Sequence, residues 1–234
     1  MKSIMTVDIE YDWETKESRN LKEVVPKLLD FFDKYKIRAT FFVLGSLAEK
    51  NEKMIKEIST KHEIASHSYD HVNFSKLNEN ETAVQVLKSK KVFDSIGIKV
   101  RGFRAPYFKT NNYLYTILKA AGFEYDSSEF GKRIYNKEGI LEFQVPSFVP
   151  FVRCGLSYFR LLYPFSKFFK PKHMFFLHPH EFMDEIPHST TTMPFLTKQL
   201  LEINKGANAW KIFEYFINKQ KIKWVGCWDY LKNE

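Results

Sequence analysis

Six residues of this chain would make a hydrolytic centre if the fold brought them together. They are Asp8 and Glu10, two apart; His67 and His71, four apart in the stretch SHSYDH; Arg104; and His178. Neutral imidazoles and a carboxylate are standard ligands for Zn2+, and His-x-x-x-His can present both rings on one face of a helical turn, where a carboxylate from another strand completes a triad. A coordination position left open would hold a water whose pKa falls toward neutrality. Together these residues are nearly all the types that a metal-dependent hydrolase needs. With only Cys154 and Cys227 present, a cysteine-built metal site and a disulfide framework are excluded, and a reducing cytoplasm is the expected home.

The elements that have to position these residues follow from the hydrophobic pattern. Short apolar runs, SIMTVDI, RATFFVL, HEIASH, VRGFRA, FEYDSS, LEFQVPS and HMFFLHPHE, alternate with amphipathic stretches, LKEVVPKLLDFFDKYK, NEKMIKEIST, Glu79 to Ile96 and NNYLYTILKAAG. Two closing helices, around Phe195 to Asn204 and Asn208 to Lys219, precede a last strand, IKWVGCW. Strand and helix taking turns predicts parallel strands wrapped by helices, about seven or eight of them, enough to close or nearly close a barrel. The candidate residues fall at the carboxyl ends of those strands, where catalytic groups of such barrels collect. The 234 residues, 44% hydrophobic and 17% aromatic, suit one large domain, with no linker or repeat to divide it.

The chain lacks an apolar run of membrane-spanning length, and its start, MKSIMTVDIEYDWE, reaches acidic residues before a signal-peptide core could form. Folding from the first residues inside the cell is therefore the expectation. A net charge of +8, spread over dispersed lysines, suits anionic partners such as phosphorylated sugars, nucleic acid or anionic lipid. The irregular segment 148–172 is aromatic, basic and punctuated by prolines. It reads as a lid or packed helix over the barrel, or as an interfacial surface for peripheral membrane contact.

Five stretches, TVDIE, HEIASHSYDH, GFRAPYF, YDSSEF and FFLHPHE, resemble in order the five motifs of the polysaccharide deacetylase family, carbohydrate esterases with the NodB homology domain. The resemblance runs from Asp8 to about Glu181, roughly three quarters of the chain. With its Asp-x-Glu first motif and the segment YFRLLYPF, the chain is most similar to the branch of exopolysaccharide biosynthesis. The resemblance implies a deformed (β/α)7 barrel of the NodB, glycoside hydrolase/deacetylase type, in a single domain over residues 1–234. It implies an enzyme that removes an N-acetyl or N-formyl group from an amino sugar, free, polymeric, nucleotide-linked or lipid-linked, with no nucleic acid as partner. One divalent metal is implied, zinc by default, with Co2+, Ni2+ or Fe2+ also suited to two histidines and a carboxylate.

Carried over by position, Asp8 is the general base, Arg104 its holder and His178 the general acid, while His67 and His71 bind the metal. Tyr107 supplies a backbone N–H to the oxyanion, and Leu177 lines the acyl-methyl pocket. Where relatives commonly have adjacent aspartates, Ile9 follows Asp8; in a strand the residue two along returns to the same face, so Glu10 replaces the second aspartate as ligand, with Asp12 as competitor. Asp126 and Glu129 are alternative partners for His178, able to raise its pKa. His180 is expected exposed, His62, His173 and His188 at the surface, and Glu181 in a cap or loop. The rival readings are a cyclic imide or ureide hydrolase on the same fold and a non-catalytic anion- or nucleic-acid-binding protein, which would show salt-dependent affinity and dispensable histidines.

Overall fold

The computed structural model describes residues 2–12, 17–146, 174–185, 205–220 and 222–232. Its first strand, β1 (Lys2–Ile9), is buried almost throughout, as a central parallel strand has to be. It pairs in parallel with β2 (Thr40–Val43), β8 (Met174–Leu177) and β9 (Lys223–Val225). From β2 the sheet continues in parallel through β3 (Glu63–Ser66), β4 (Gly102–Phe103) and β5 (Tyr125–Asp126) to β7 (Ile140–Phe143), and ends in β6 (Ile134–Lys137), antiparallel to β7. The described helices are α1 (Arg19–Glu23), α2 (Val25–Lys34), α3 (Gly45–Lys50), α4 (Glu52–Ser59), α5 (Glu79–Ser95), α6 (Leu114–Ala120), α7 (Ala207–Lys219) and α8 (Cys227–Leu231). None of them is long and apolar enough to cross a membrane.

Alternation along the strands builds two cores. Met5, Val7 and Ile9 of β1, Phe41 and Val43 of β2, and Phe175 and Leu177 of β8 join an outer layer with Leu28 and Phe32 of α2 and Phe213 and Phe216 of α7. Ile4, Phe42, Ala65, Tyr125, Phe143 and Met174 form a second cluster on the opposite face. Strands from β1 to β8 share that cluster because the sheet curls round it, with the helices outside. This is the α/β architecture that the pattern predicts. At Gly102 the curl leaves no room for a side chain, since a Cβ there would lie 2.0 Å from the Tyr125 ring.

The hydrophobic pattern does not predict β6, α3 or α8. The β6–β7 turn puts Glu138 and Gly139 at φ 55° and 89°, both in the left-handed region that a tight hairpin requires, and Asn136 Oδ1 accepts the Gly139 N–H at 3.0 Å. Lys-Glu-Gly carries no Asn-Gly signature, so the hairpin was not legible. The helix expected from Glu79 is α5, opened by a reciprocal cap in which Asn78 Oδ1 accepts the Glu81 N–H at 3.0 Å and Glu81 Oε2 accepts the Asn78 N–H at 2.9 Å. The segment 148–172, the helix expected at 195–204, Cys154, His173 and His188 lie outside the described residues.

At the end of the sheet away from the candidate residues, Glu63 accepts from Thr40 Oγ1 (2.6 Å), Tyr125 OH (2.8 Å) and the Trp228 N–H (2.9 Å), fastening α8 to β2, β3 and β5. Glu63→Ala strands three donors and is expected to cost about 2–4 kcal/mol, read from the midpoint of denaturant unfolding. His62, expected at the surface, is instead only 7% exposed and packs on the rings of Phe32 and Phe41 at 5.7 and 5.2 Å. Burial, reinforced by Arg38, pushes its pKa down to about 4. The folded protein thus keeps His62 neutral while the unfolded chain charges it below about pH 6.5, so stability is full above that pH and falls as pH drops toward 4. Equilibrium unfolding at several pH values is expected to show a loss of about 2–3 kcal/mol over that window, absent in His62→Leu.

Candidate metal and acid–base site

β1 carries Thr6 and Asp8, and just past its end Glu10, to the inner face, because residues two apart share a side of a strand. Arg104, just past β4, meets Asp8 there with no solvent exposure. Its Nη1 donates to Asp8 Oδ1 at 2.6 Å and to Thr6 Oγ1 at 3.0 Å; its Nη2 donates to Ser127 Oγ at 2.9 Å and its Nε to the Ser127 carbonyl at 3.1 Å. The guanidinium lies 4.0 Å from the centre of the Phe42 ring. One oxygen of Asp8 is thereby fixed, and the other, Oδ2, faces His178 Nε2 at 3.8 Å.

His67 and His71 converge on Glu10. Their Nε2 atoms lie 3.0 and 3.1 Å from its Oε1. The expected helical turn is not what brings them there: β3 ends at Ser66 and the chain reverses through Ser68 at φ 75°. Gln85 of α5 clamps this loop, its Oε1 accepting from Ser68 Oγ at 3.1 Å and from the Asp70 N–H at 2.9 Å. Gln85 is a supporting residue for which the sequence offers no motif. Asp12, the competing carboxylate, is committed elsewhere: it accepts from the backbone N–H groups of Arg19 (2.6 Å) and Asn20 (3.0 Å) at the start of α1.

His178 continues β8 onto the same face, its Nε2 3.6 Å from Glu10 Oε1. Burial alone would lower its pKa, but Glu10, Glu181 and Asp8 outweigh that and hold it at about 9. Burial would likewise raise the pKa of Glu10, yet His178, His71 and His67 together leave it well below the ordinary carboxylate range.

The structure corrects the expected partners of His178. Asp126 accepts from Ser128 Oγ at 2.8 Å and lies against Glu142, while Glu129 binds Tyr135 OH at 2.5 Å and pairs with Lys137. The reason is alternation: Tyr125 faces the inner cluster, so Asp126 turns outward. The carboxylate set beside His178 Nδ1 is that of Glu181, at 3.9 Å. His180 is buried rather than exposed, and its ring stacks on that of His178 at 5.0 Å. Leu177 also departs from expectation. It points to the outer layer with Phe175, and the β8 side chain beside His178 is Phe176, edge-on to it at 5.7 Å.

Tyr107 sits at φ 59°, ψ 6° in a short turn opened by Pro106; the residue is 56% exposed and its ring is edge-on to His71 at 4.4 Å. Exposed Phe130 packs on Phe108, which in turn packs on Phe176. An aromatic rim thus borders the polar centre.

The donor set of Glu10, His67 and His71 fits a divalent cation. His67 Nδ1 lies 2.8 Å from the Arg104 carbonyl, an acceptor only, so Nδ1 carries a proton and Nε2 is the nitrogen turned to Glu10. An imidazole nitrogen and a carboxylate oxygen 3.0 Å apart take positive charge, a proton or a cation, between them. Two imidazoles and one carboxylate are a common zinc ligand set.

The sequence profile of the family described as Polysaccharide deacetylase matches residues 3–125. A peptidoglycan-N-acetylglucosamine deacetylase of Bacillus cereus is 37% identical over 87 residues, which are 36% of this chain. The matched stretch spans 32% of that protein's length. Among solved structures, a Mycobacterium smegmatis protein assigned to the polysaccharide deacetylases superposes with a TM-score of 0.67 at 17% identity, covering 100% of this chain and 91% of that one. The PuuE allantoinase superposes with a TM-score of 0.69 at 14% identity, covering 97% and 88%. At these identities the likeness is one of fold.

The geometry separates Glu10 from Asp12. Elemental analysis after zinc loading is expected to show affinity weakened by at least about tenfold in Glu10→Gln and in His67→Ala. Asp12→Asn is expected to keep its zinc and to lose thermal stability instead; zinc retained in Glu10→Gln would overturn the ligand assignment.

Proposed function

The chain belongs to the polysaccharide deacetylase family, and on that premise we propose that it hydrolyses the N-acyl amide of an amino sugar, acetyl or formyl, using a divalent cation held by Glu10, His67 and His71. One observation carries this reading: two imidazole Nε2 atoms share a single Glu10 oxygen beside a buried Asp8–Arg104 pair and a third histidine. A cation at that point supplies Lewis acidity, polarising the acyl oxygen and making water a stronger acid.

The chain's own groups do the rest. Asp8, with Oδ1 tied to Arg104, offers Oδ2 to take the proton of the attacking water. Arg104 is itself fixed by Ser127 and Thr6, so the base keeps its orientation through turnover. As water adds to the acyl carbon, the Tyr107 backbone N–H donates to the developing oxyanion. His178, protonated at this stage, gives the proton on Nε2 to the amine nitrogen as the C–N bond breaks. The products are the free amine and the carboxylic acid, and no covalent link to the enzyme forms. The exposed faces of Tyr107 and Phe130 offer apolar surface to a pyranose ring.

The setting we favour is cytoplasmic maturation of a surface polysaccharide or glycoconjugate, on a nucleotide- or lipid-linked sugar. A panel of N-acetyl and N-formyl amino sugars, free and oligomeric, run against cyclic ureides and imides, tests it; turnover of the cyclic compounds alone would replace it. Asp8→Asn keeps the shape of the base and removes its basicity. It is expected to lower kcat by about 10²–10⁴-fold with zinc content unchanged, and full activity in that variant would sink the mechanism.

A further inference from the structure

On the proposed reading, in which His178 is the proton donor, the geometry points to Glu181 as the positioning residue of that histidine, in place of Asp126 or Glu129. The two ring nitrogens of His178 face different surroundings. Nε2 looks toward the reaction centre, 3.8 Å from Asp8 Oδ2 and 3.6 Å from Glu10 Oε1. Nδ1 is buried on the other side, with Glu181 Oε1 at 3.9 Å. That distance is an electrostatic contact rather than a hydrogen bond, and a small rotation of either side chain closes it.

What singles out Glu181 is how its carboxylate is held. Its Oε2 accepts from the backbone N–H of His178 at 3.4 Å, while its own N–H donates to the His178 carbonyl at 3.1 Å. Pro179 starts the 3₁₀ turn Pro179–Phe182 that sets this spacing. The carboxylate is thus fastened to the backbone of the residue whose ring it faces, so loop motion cannot part them. Glu181 is 7% exposed, and the ring is further confined between the edge of Phe176 and the face of His180. A carboxylate at Nδ1 keeps a proton on that nitrogen and leaves Nε2 to exchange protons with the reacting groups.

The other candidates are spent on different tasks. Asp126 is engaged by Ser128 and Glu142, and Glu129 by Lys137, Tyr115 and Tyr135. The Glu-x-x spacing back to His178 is also local in sequence, so the pair is set when the turn folds.

Zinc-loaded wild type, Glu181→Gln, Glu181→Asp and Glu129→Gln are compared for kcat, KM, bound zinc and melting temperature, and for the imidazole Nδ1–H proton resonance, assigned by its loss in His178→Ala. Glu181→Gln keeps an acceptor for the turn. It is expected to lower kcat by about 10–100-fold with KM and zinc unchanged and to lose or shift the Nδ1–H signal. Glu181→Asp, which keeps the charge, recovers part of both and serves if the glutamine variant does not fold. Glu129→Gln stays within about twofold of wild type. Unchanged kcat in Glu181→Gln, an equal loss in Glu129→Gln, or an undisturbed Nδ1–H signal would each overturn the assignment. Should the wild type turn over no N-acyl sugar, the functional reading fails while the resonance still decides the role of Glu181.

Discussion

The buried pairing of Arg104 with Asp8 is the constraint around which the interior is arranged. Removing a guanidinium and a carboxylate from water costs on the order of several kcal/mol per ion, and attraction between them offsets it only when the remaining donors are satisfied. Here they are: Thr6, the Ser127 hydroxyl and carbonyl, and the sulfur of Met174 take the other N–H groups, and Phe42 takes the guanidinium face. These partners come from β1, β2, β8 and the chain after β5, so one side chain ties together strands across the curl. The interior of the sheet is filled by an ion with its ligands where a plain barrel would use aliphatic layers. A carboxylate so tightly held keeps its second oxygen turned toward His178.

Strand alternation then sorts everything else. With Ile4, Thr6, Asp8 and Glu10 inward, Met5, Val7 and Ile9 have to enter the outer layer under α2 and α7. The same arithmetic made Glu10 legible as the replacement for an adjacent aspartate. Applied to β8 it puts Phe176 and His178 inward and Leu177 outward, and applied to β5 it turns Asp126 away from the histidine. Both residues were assigned by position in a motif, and in both cases the period of two decides against that position.

The remaining differences arise where contacts are long-range or turns are short. The alternating pattern, the helix α5, and the residues Asp8, His67, His71, Arg104 and His178 were readable from types, spacing and resemblance. Gln85 was not, because a single amide in the middle of α5 acquires its role only when the loop after β3 lies against it. His180 reads as exposed in the sequence but is buried, because burial is set by what packs over a residue, whereas Glu181 does fall in a capped turn as expected. His62 is similar: flanked by Lys61 and Glu63 it looks solvated, yet it caps the core between α2 and β2.

The carboxylates fall into two populations with opposite proton affinities, and the division explains how the rim is supported. Glu10 faces imidazoles and is held well below its ordinary range. Glu142, on the outer side, is pushed up by burial and by Asp126, whose own pKa burial also raises. Ser128 Oγ donates to Asp126 Oδ1 and accepts the Ala105 N–H, both at 2.8 Å. This chain of hydrogen bonds ties buried Asp126 to the backbone just before Pro106 and braces the turn that carries Tyr107. A carboxylate that the motif suggested for His178 thus acts on the backbone before Tyr107, while the carboxylate beside the His178 ring is that of Glu181.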